Sequence, residues 1–573
     1  MRNDGFVILH TPEAACTDAA PVYPRPRLRR DSFFSLDGEW EFSADNGKGS
    51  EPAARIRVPF PPESALSGIG KVFPDGTVLR YRRRFTLPEG FRRERVILHV
   101  GAADQEATVW LNGTLLGSHV GGYFSFSFDV TDALQAGENT LVIHVVDRLD
   151  RHVLPWGKQK HKRGGMWYTP VSGIWQSVWM ESVPDVYVKS LSVATEESGV
   201  TVTAEGVDEG MLILTTEEGL ICEKMRNGSA FLPLSHPHLW SPEDPYLYRF
   251  KLICGEDTVH SYFACRTLSI REIGGVKRLC LNGKPYFFHG LLDQGYFPDG
   301  IFTPAHPSLY EKDILLAKSL GFNTLRKHIK IEPQQFYYDC DRLGMIVFQD
   351  MVNNGHYSFL RDTALPTVGL KRRSDKGLHR DPETRRAFLS AMEETVRTLK
   401  DHPSICYWTI FNEGWGQFDG NAAYRMLKKL DNTRFIDTAS GWFETVESDV
   451  ESPHVYFKPV RCRPGKKPLV LSEFGGYSLP VTGHISNPGE VYGYRKFKDR
   501  AELEKAFLAL YETEILPAAK AGLCGAIYTQ LTDVEDEING LVTYDRRVRK
   551  IEDTAAMLAL ARALQQAHGT GEP

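Results

Sequence analysis

At 573 residues the chain exceeds what one hydrophobic core can organise, and about three or four domains are expected. Its 42% hydrophobic and 25% charged residues support packed interiors throughout and exclude long disorder. A net charge of −5, from 68 basic against 73 acidic residues, offers no field to gather nucleic acid or an anionic membrane, which leaves a small or neutral partner.

No segment reaches the ~18 apolar residues of a membrane-spanning helix. The N-terminal "MRNDGFVILHTPEAAC" holds only a short apolar stretch, far less than a signal-peptide core, so a cytoplasmic protein is expected. Nine cysteines, at 16, 222, 254, 265, 280, 340, 406, 462 and 524, are odd in number, scattered and without a C-x-x-C pair. Buried free thiols are expected rather than disulfides or zinc.

Residues 1–184 read as β-structure. "RVILHVGAADQEATVWLNGTLLGSHVGGYFSFSFDV" supplies short alternating runs, two of them joined as a hairpin at Asn112-Gly113, a pattern that favours a jelly-roll sandwich. Residues 185–270, with "LYRFKLIC" and "TVHSYFACRTLSI", form a second β-segment of immunoglobulin-like size.

From 271 to 573 strand and helix alternate. "KPYFFHG" precedes "SLYEKDILLAKSL", whose Ser308 and Glu311 have capping-box spacing; "FNTLRKH" precedes "EPQQFYYDCDRLG"; "MIVFQD" is followed at a distance by "ETRRAFLSAMEETVRTLKD". "ICYWTIF", "TRFIDTAS", "SPHVYF", "PLVLSEF" and "LCGAIYTQL" supply the later strands. Eight candidates fit a (β/α)8 barrel, the first strand at 284–290 and the eighth at 523–530.

In such barrels the loops after the strands form the active face. "CYWTIFNEGW" ends an apolar strand on Asn412 and Glu413, and "LVLSEFGGY" places Glu473 at the matching point of the seventh strand. Two carboxylates flanking a glycosidic bond are the minimal apparatus for its hydrolysis, one giving a proton to the departing oxygen and the other attacking the anomeric carbon or activating water. An aromatic surround suits Glu413 to the acid role, Asn412 can bond the adjacent sugar hydroxyl, and Glu473 falls to the nucleophile.

The chain resembles glycoside hydrolase family 2, retaining exo-β-glycosidases, over nearly its whole length. "LDGEWEF" (36–42), "VWLNGTLLGSHVGGYFSFSFDVTDAL" (109–134) and "MWYTPVSGIWQSVWME" (166–181) are similar to that family's sugar-binding jelly roll, and "HLWSPEDPYLY" (238–248) to the end of its immunoglobulin-like domain. "FNEGWG" and "LSEFGG" match its acid/base and nucleophile segments, so the resemblance implies Glu413 as acid/base and Glu473 as nucleophile. It also implies that Tyr456 bonds the nucleophile, that Arg326 holds its charge, and that Tyr528 stands in place of a Trp platform. Trp442 is a further candidate sugar contact. Two departures change the expected contacts. "HGLLDQGY" (289–296) puts Gln294 where relatives usually have histidine, and "RKHIK" (326–330) brings the histidine one position early, which leaves Asp293, Gln294 and His328 as candidates.

By alternation Arg326, His328 and Lys330 would share a face if the strand ran that far, and with Lys458 they could meet a uronic-acid carboxylate. The family's glucuronidase branch carries an Asn-x-Lys clamp that "DEINGLVTYDRRV" lacks, so the expected substrate is a terminal β-galactoside or its C6-oxidised counterpart, with a β-glucuronide as the alternative. "DVEDEING" (533–540) lacks calcium-loop spacing and reads as a solvated acidic turn, and "PWGKQKHKRGG" (155–165) as a basic surface loop. No metal or cofactor is expected, and the resemblance implies a homo-oligomer. The competing class is a carbohydrate-binding protein without catalysis, and a transglycosidase would use the same site.

Overall fold

The computed structural model describes residues 6–16, 21–47, 52–196, 198–216, 219–365, 374–441, 443, 446–461 and 465–569. Apolar–polar alternation builds the N-terminal sandwich. A six-stranded antiparallel sheet (54–58, 38–45, 78–86, 138–146, 106–111, 114–120) faces a four-stranded one (34–35, 178–183, 95–100, 126–129). Inward residues such as Leu98, Leu141 and Ile143 are fully buried, each contributing about 1.5–3 kcal/mol. Asn112 and Gly113 link Glu106–Leu111 to Thr114–Val120 with positive φ of 52° and 82°, the left-handed pair that a two-residue hairpin requires. A second sandwich follows, with sheets of three (190–196, 199–205, 229–233) and four strands (219–225, 210–216, 248–254, 257–263) around its own core.

The remainder is a nearly closed parallel barrel: β1 (Phe288–Asp293), β2 (Thr324–Lys327), β3 (Ile346–Asp350), β4 (Ile405–Asn412), β5 (Phe435–Ser440), β6 (His454–Val455), β7 (Leu469–Gly475) and β8 (Leu523–Thr529). The order is β5-β4-β3-β2-β1-β8-β7-β6. Among the described residues no strand ladder joins β5 to β6. Gly441 N–H donates to Ser452 O at 2.8 Å there, and Ser440 Oγ meets His454 Nε2 at 2.9 Å. Phe288, Phe348, Tyr407 and Ile527 fill the interior, while Tyr337, Phe411, Phe507 and Tyr528 pack in the larger cluster that includes the surrounding helices.

Four expectations change. The first strand begins at Phe288, because Lys284–Pro285 pairs antiparallel with Val276–Leu281 instead. The capping box does not form: Ser308 Oγ is held by His306 Nδ1 at 2.8 Å, and Glu311 pairs with Arg342 at 2.7 Å. The acidic turn is not solvated. Asp533, Glu535, Asp536 and Glu537 are at most 3% exposed, and the basic loop is their dock: Arg163 reaches Asp536 Oδ1 at 3.0 Å, Thr169 N–H donates to Glu535 at 3.0 Å, and Tyr168 bonds Glu537. Nor is 155–165 a surface loop, since Trp156 is buried against Trp167 and Trp415.

Arg163→Ala therefore removes the cation that faces two buried carboxylates, Glu535 and Asp536. It should lower unfolding stability in urea by about 2–3 kcal/mol, below the ~3–5 kcal/mol of a fully buried pair because Arg163 keeps 26% exposure. Among the described cysteines, 254, 265, 280, 340, 406 and 524 are buried thiols, and Cys222 is exposed. No described helix is long and apolar enough to cross a membrane.

Candidate active site

All eight residues of β4 are buried, and the strand turns out of the wall at Glu413, whose φ of 52° is left-handed and whose N–H donates to Ser440 O at 2.9 Å. Gly414 continues the turn at φ 72°; a Cβ there would sit 2.8 Å from the Phe443 ring. The enclosure of Glu413 is partial, its side chain being 20% exposed.

Glu473 emerges from β7 with its side chain 7% exposed. Arg326 Nη1 donates to Glu473 Oε1 at 3.1 Å, and Tyr456 OH donates to Oε2 at 2.5 Å. Arg326 is itself fixed by Asp350 Oδ1 at 3.0 Å, Asn412 Oδ1 at 3.0 Å and Ser472 O at 3.0 Å. Among the described residues the Asn412 amide nitrogen has no hydrogen-bond partner, its oxygen being engaged by Arg326. His328 Nδ1 lies 2.9 Å from Asp350 Oδ2.

His454 spans the two glutamates, Nδ1 being 3.0 Å from Glu413 Oε1 and 3.6 Å from Glu473 Oε2. An oxygen of each glutamate and a nitrogen of His454 all lie within 4.8 Å of one another.

Burial works against the charge on Glu473, but His454, His328, Arg326 and Lys158 outweigh it and hold the carboxyl at about 2. A depressed folded pKa stabilises the fold above the ordinary carboxylate value and loses that contribution as pH falls from about 4.5 to about 2. Urea melts at pH 3 and pH 5 should therefore differ less for Glu473→Gln than for the wild type.

Several candidates lie elsewhere. β2 ends at Lys327, and Ile329, at φ 54°, breaks the alternation. Lys330 consequently leaves the face shared by Arg326 and His328, and its ammonium bonds Gly295 O, Phe302 O and Glu332 in the interior. Asp293 turns to Lys327 Nζ at 2.6 Å. Gln294 donates to Gln530 Oε1 at 2.8 Å and is 4% exposed. Tyr528 is no platform: it is fully buried against Phe474 and Phe507. Strand alternation gives the mouth position to Thr529, whose Oγ1 is 3.0 Å from Tyr456 OH. Lys458 is exposed on the loop after β6, and Trp442 lies outside the described residues.

His454, Asp350, Thr529 and Tyr494 escaped sequence reasoning. His454 stands two positions before Tyr456, so period-two alternation signals it. Asp350 ends its strand as Asn412 does. Tyr494, stacked on Tyr456 at 3.8 Å, comes from a long loop with no such signal. Besides the glutamates with His454, the described residues hold one other cluster of metal-ligand spacing, Asp75, Asp150 and His161, where His161 Nε2 pairs directly with Asp75 at 2.7 Å.

Three models of one family match this chain in succession: the galactose-binding-like domain of glycosyl hydrolase family 2 over residues 75–165, glycosyl hydrolases family 2 over 185–266, and its TIM barrel domain over 272–551. The chain belongs to glycoside hydrolase family 2.

It is a glycoside hydrolase. The dog (Canis lupus familiaris) β-glucuronidase is 25% identical over 494 residues, covering 76% of this chain and 72% of that one. The β-galactosidase of Thermoanaerobacter pseudethanolicus is 26% identical over 386 residues, 62% of this chain and 47% of its own length. The β-D-glucuronidase of Dictyoglomus thermophilum shares the fold with TM-score 0.70 at 19% identity, over 96% of this chain and 99% of that one. An Eisenbergiella tayi family 2 β-galacturonidase bound to galacturonate gives TM-score 0.66 at 18% identity, over 94% and 98%.

Proposed function

We propose that this family 2 enzyme is a retaining exo-β-glycosidase, with Glu413 as acid/base and Glu473 as nucleophile. One observation supports the reading above all others: a partly exposed glutamate and one hydrogen-bonded by Arg326 and Tyr456 bring an oxygen each within 4.8 Å, beside His454 at the barrel mouth. Glu413 protonates the departing oxygen while Glu473 attacks the anomeric carbon. Glu413, now ionised, deprotonates the water that releases the sugar. Arg326 and Tyr456 hold Glu473 in position, and Asn412 donates to the hydroxyl beside the reacting carbon, where contacts strengthen in the transition state.

The glycone is a terminal β-galactoside or its C6-oxidised counterpart, and the β-glucuronidase names among the relatives make a β-glucuronide the second reading. A panel of aryl β-galactoside, β-galacturonide, β-glucuronide and β-mannoside tests this. Release of aryl alcohol from none of them, or equal release by Glu473→Gln, contradicts the assignment. Tyr456→Phe should lower kcat about 10- to 100-fold on the best substrate, through loss of one charge-assisted bond to Glu473. Steady-state kinetics on the panel checks it, and an unchanged kcat would exclude that role.

A further inference from the structure

Two serine hydroxyls fix which nitrogen of His454 carries the ring hydrogen. Ser472 Oγ donates to Ser452 O at 3.0 Å, and a carbonyl can only accept. Ser440 Oγ, 2.9 Å from Ser472 Oγ, therefore places its own hydrogen there. Only lone pairs of Ser440 then face His454 Nε2 at 2.9 Å, so Nε2 carries a hydrogen and the neutral ring presents Nδ1 as an acceptor. The imidazole is seated against the end of β5, where φ of Gly441 is 88° and a Cβ would lie 3.0 Å from ring Cε1 and Nδ1.

Nδ1 stands 3.0 Å from Glu413 Oε1 and 3.6 Å from Glu473 Oε2, on a side chain only 1% exposed. With one proton on the shorter line the contact is a hydrogen bond, whether nitrogen or oxygen holds it. Without that proton two acceptors face each other, a second carboxylate oxygen stands close by, and burial keeps water from relieving the conflict. The other charged and titratable groups around the trio are committed elsewhere. Arg326 on β2 bonds Asp350, Asn412 and Glu473, His328 bonds Asp350 on β3, and Asp437 on β5 accepts from Ser452 Oγ. Tyr456 on the far side bonds Glu473 and stacks on Tyr494, and the Lys158 charge acts on Glu473 from the jelly-roll loop. Among the described residues no other side chain donates to the Glu413 carboxyl.

The charge on this trio stays constant if the proton travels with the reaction. At rest Glu473 is ionised and the Glu413–His454 pair holds the proton. As the bond to the aglycone breaks, the departing oxygen keeps the electron pair and takes that proton, while Glu473 becomes an ester with no charge to oppose the ionised pair. Water then attacks the anomeric carbon and its proton returns to the pair. The electrons of the breaking ester bond restore the Glu473 carboxylate.

We infer that His454 is a positioning residue that shares the acid proton with Glu413 and keeps it in the site to higher pH than a lone glutamate would, an inference that rests on the Glu413 assignment above. The test is the pH profile of kcat/KM for phenyl and dinitrophenyl β-glycosides of the preferred glycone, with the wild type, His454→Asn and Ser440→Ala. Asn keeps a polar group near the Nδ1 position but cannot carry the proton. Ser440→Ala leaves Glu413 and His454 in place yet lets the ring carry its hydrogen on Nδ1, which gives ionised Glu413 a donor. With the phenyl substrate, whose leaving group needs protonation, the wild type should lose activity along an alkaline limb. Each folded variant should lose it about one pH unit lower, up to about tenfold less activity on that side. The dinitrophenyl substrate should show no such limb and no shift. A phenyl limb that stays in place, with activity lowered evenly at every pH, shows a merely structural role and overturns the inference while the acid/base assignment stands. If His454→Asn does not fold, Ser440→Ala decides by the same criterion. A wild-type limb common to both substrates overturns the assignment of Glu413 and the inference with it.

Discussion

Glu473→Gln should abolish turnover, lowering kcat by about 10^5-fold or more, the order seen when a covalent nucleophile is removed from an enzyme that acts through it. The amide keeps the volume of the carboxylate; its one oxygen can accept from Arg326, which donates at 3.1 Å, while its NH2 donates to the Tyr456 hydroxyl that donates to the carboxylate at 2.5 Å in the wild type. What it loses is the negative charge that attacks the anomeric carbon and offsets positive charge in the transition state. Because Arg326 also answers to Asp350 and Asn412, the site retains its shape without that charge. Near-native thermal melting together with the loss of kcat on an aryl β-glycoside would separate chemistry from folding. A variant retaining above 1% of wild-type kcat would remove Glu473 from the nucleophile role.

Glu413→Gln should behave differently, because its two tasks fall on separate steps. With an alkyl or unactivated aryl leaving group, loss of protonation costs about 10²- to 10⁴-fold in kcat/KM. With a dinitrophenyl leaving group, which departs without a proton, kcat/KM should fall less than tenfold. Release of the glycosyl-enzyme then limits turnover, since Glu413 no longer activates water. Rapid mixing should show a burst of dinitrophenolate followed by a slow steady state. Equal losses across leaving groups would contradict the acid/base assignment. The 20% exposure of the Glu413 side chain fits a group that must meet both the aglycone and water.

Asn412, Glu413 and Glu473 were legible because apolar strands end on them, and Arg326 and Tyr456 through the resemblance of their segments to the family. Asn412, Glu413, Glu473, Arg326 and His328 each stand at or just after a strand end, and the structure brings all five together with Tyr456. Reasoning failed where a strand stopped early or a register moved by one residue. Lys330 needed a regular strand through Ile329, which instead adopts φ 54° and sends the lysine inward. Tyr528 and Thr529 differ by one position, and that single step exchanges the helix-facing side of β8 for the mouth. Contacts between domains were the least legible. "PWGKQKHKRGG" and "DVEDEING" lie more than 350 residues apart, so nothing local reveals that Arg163 pairs with Glu535 and Asp536. Local composition describes each as a charged turn, and only their mutual burial gives either a role.

The central claim is that Glu473, held by Arg326 and Tyr456 beside Glu413, forms a covalent bond to the sugar. The most direct test is the anomer first released from an aryl β-glycoside, followed by proton NMR within minutes of mixing, before mutarotation. Two successive inversions at the anomeric carbon predict the β-sugar as first product. The α-sugar appearing first would show single displacement by water and contradict the account.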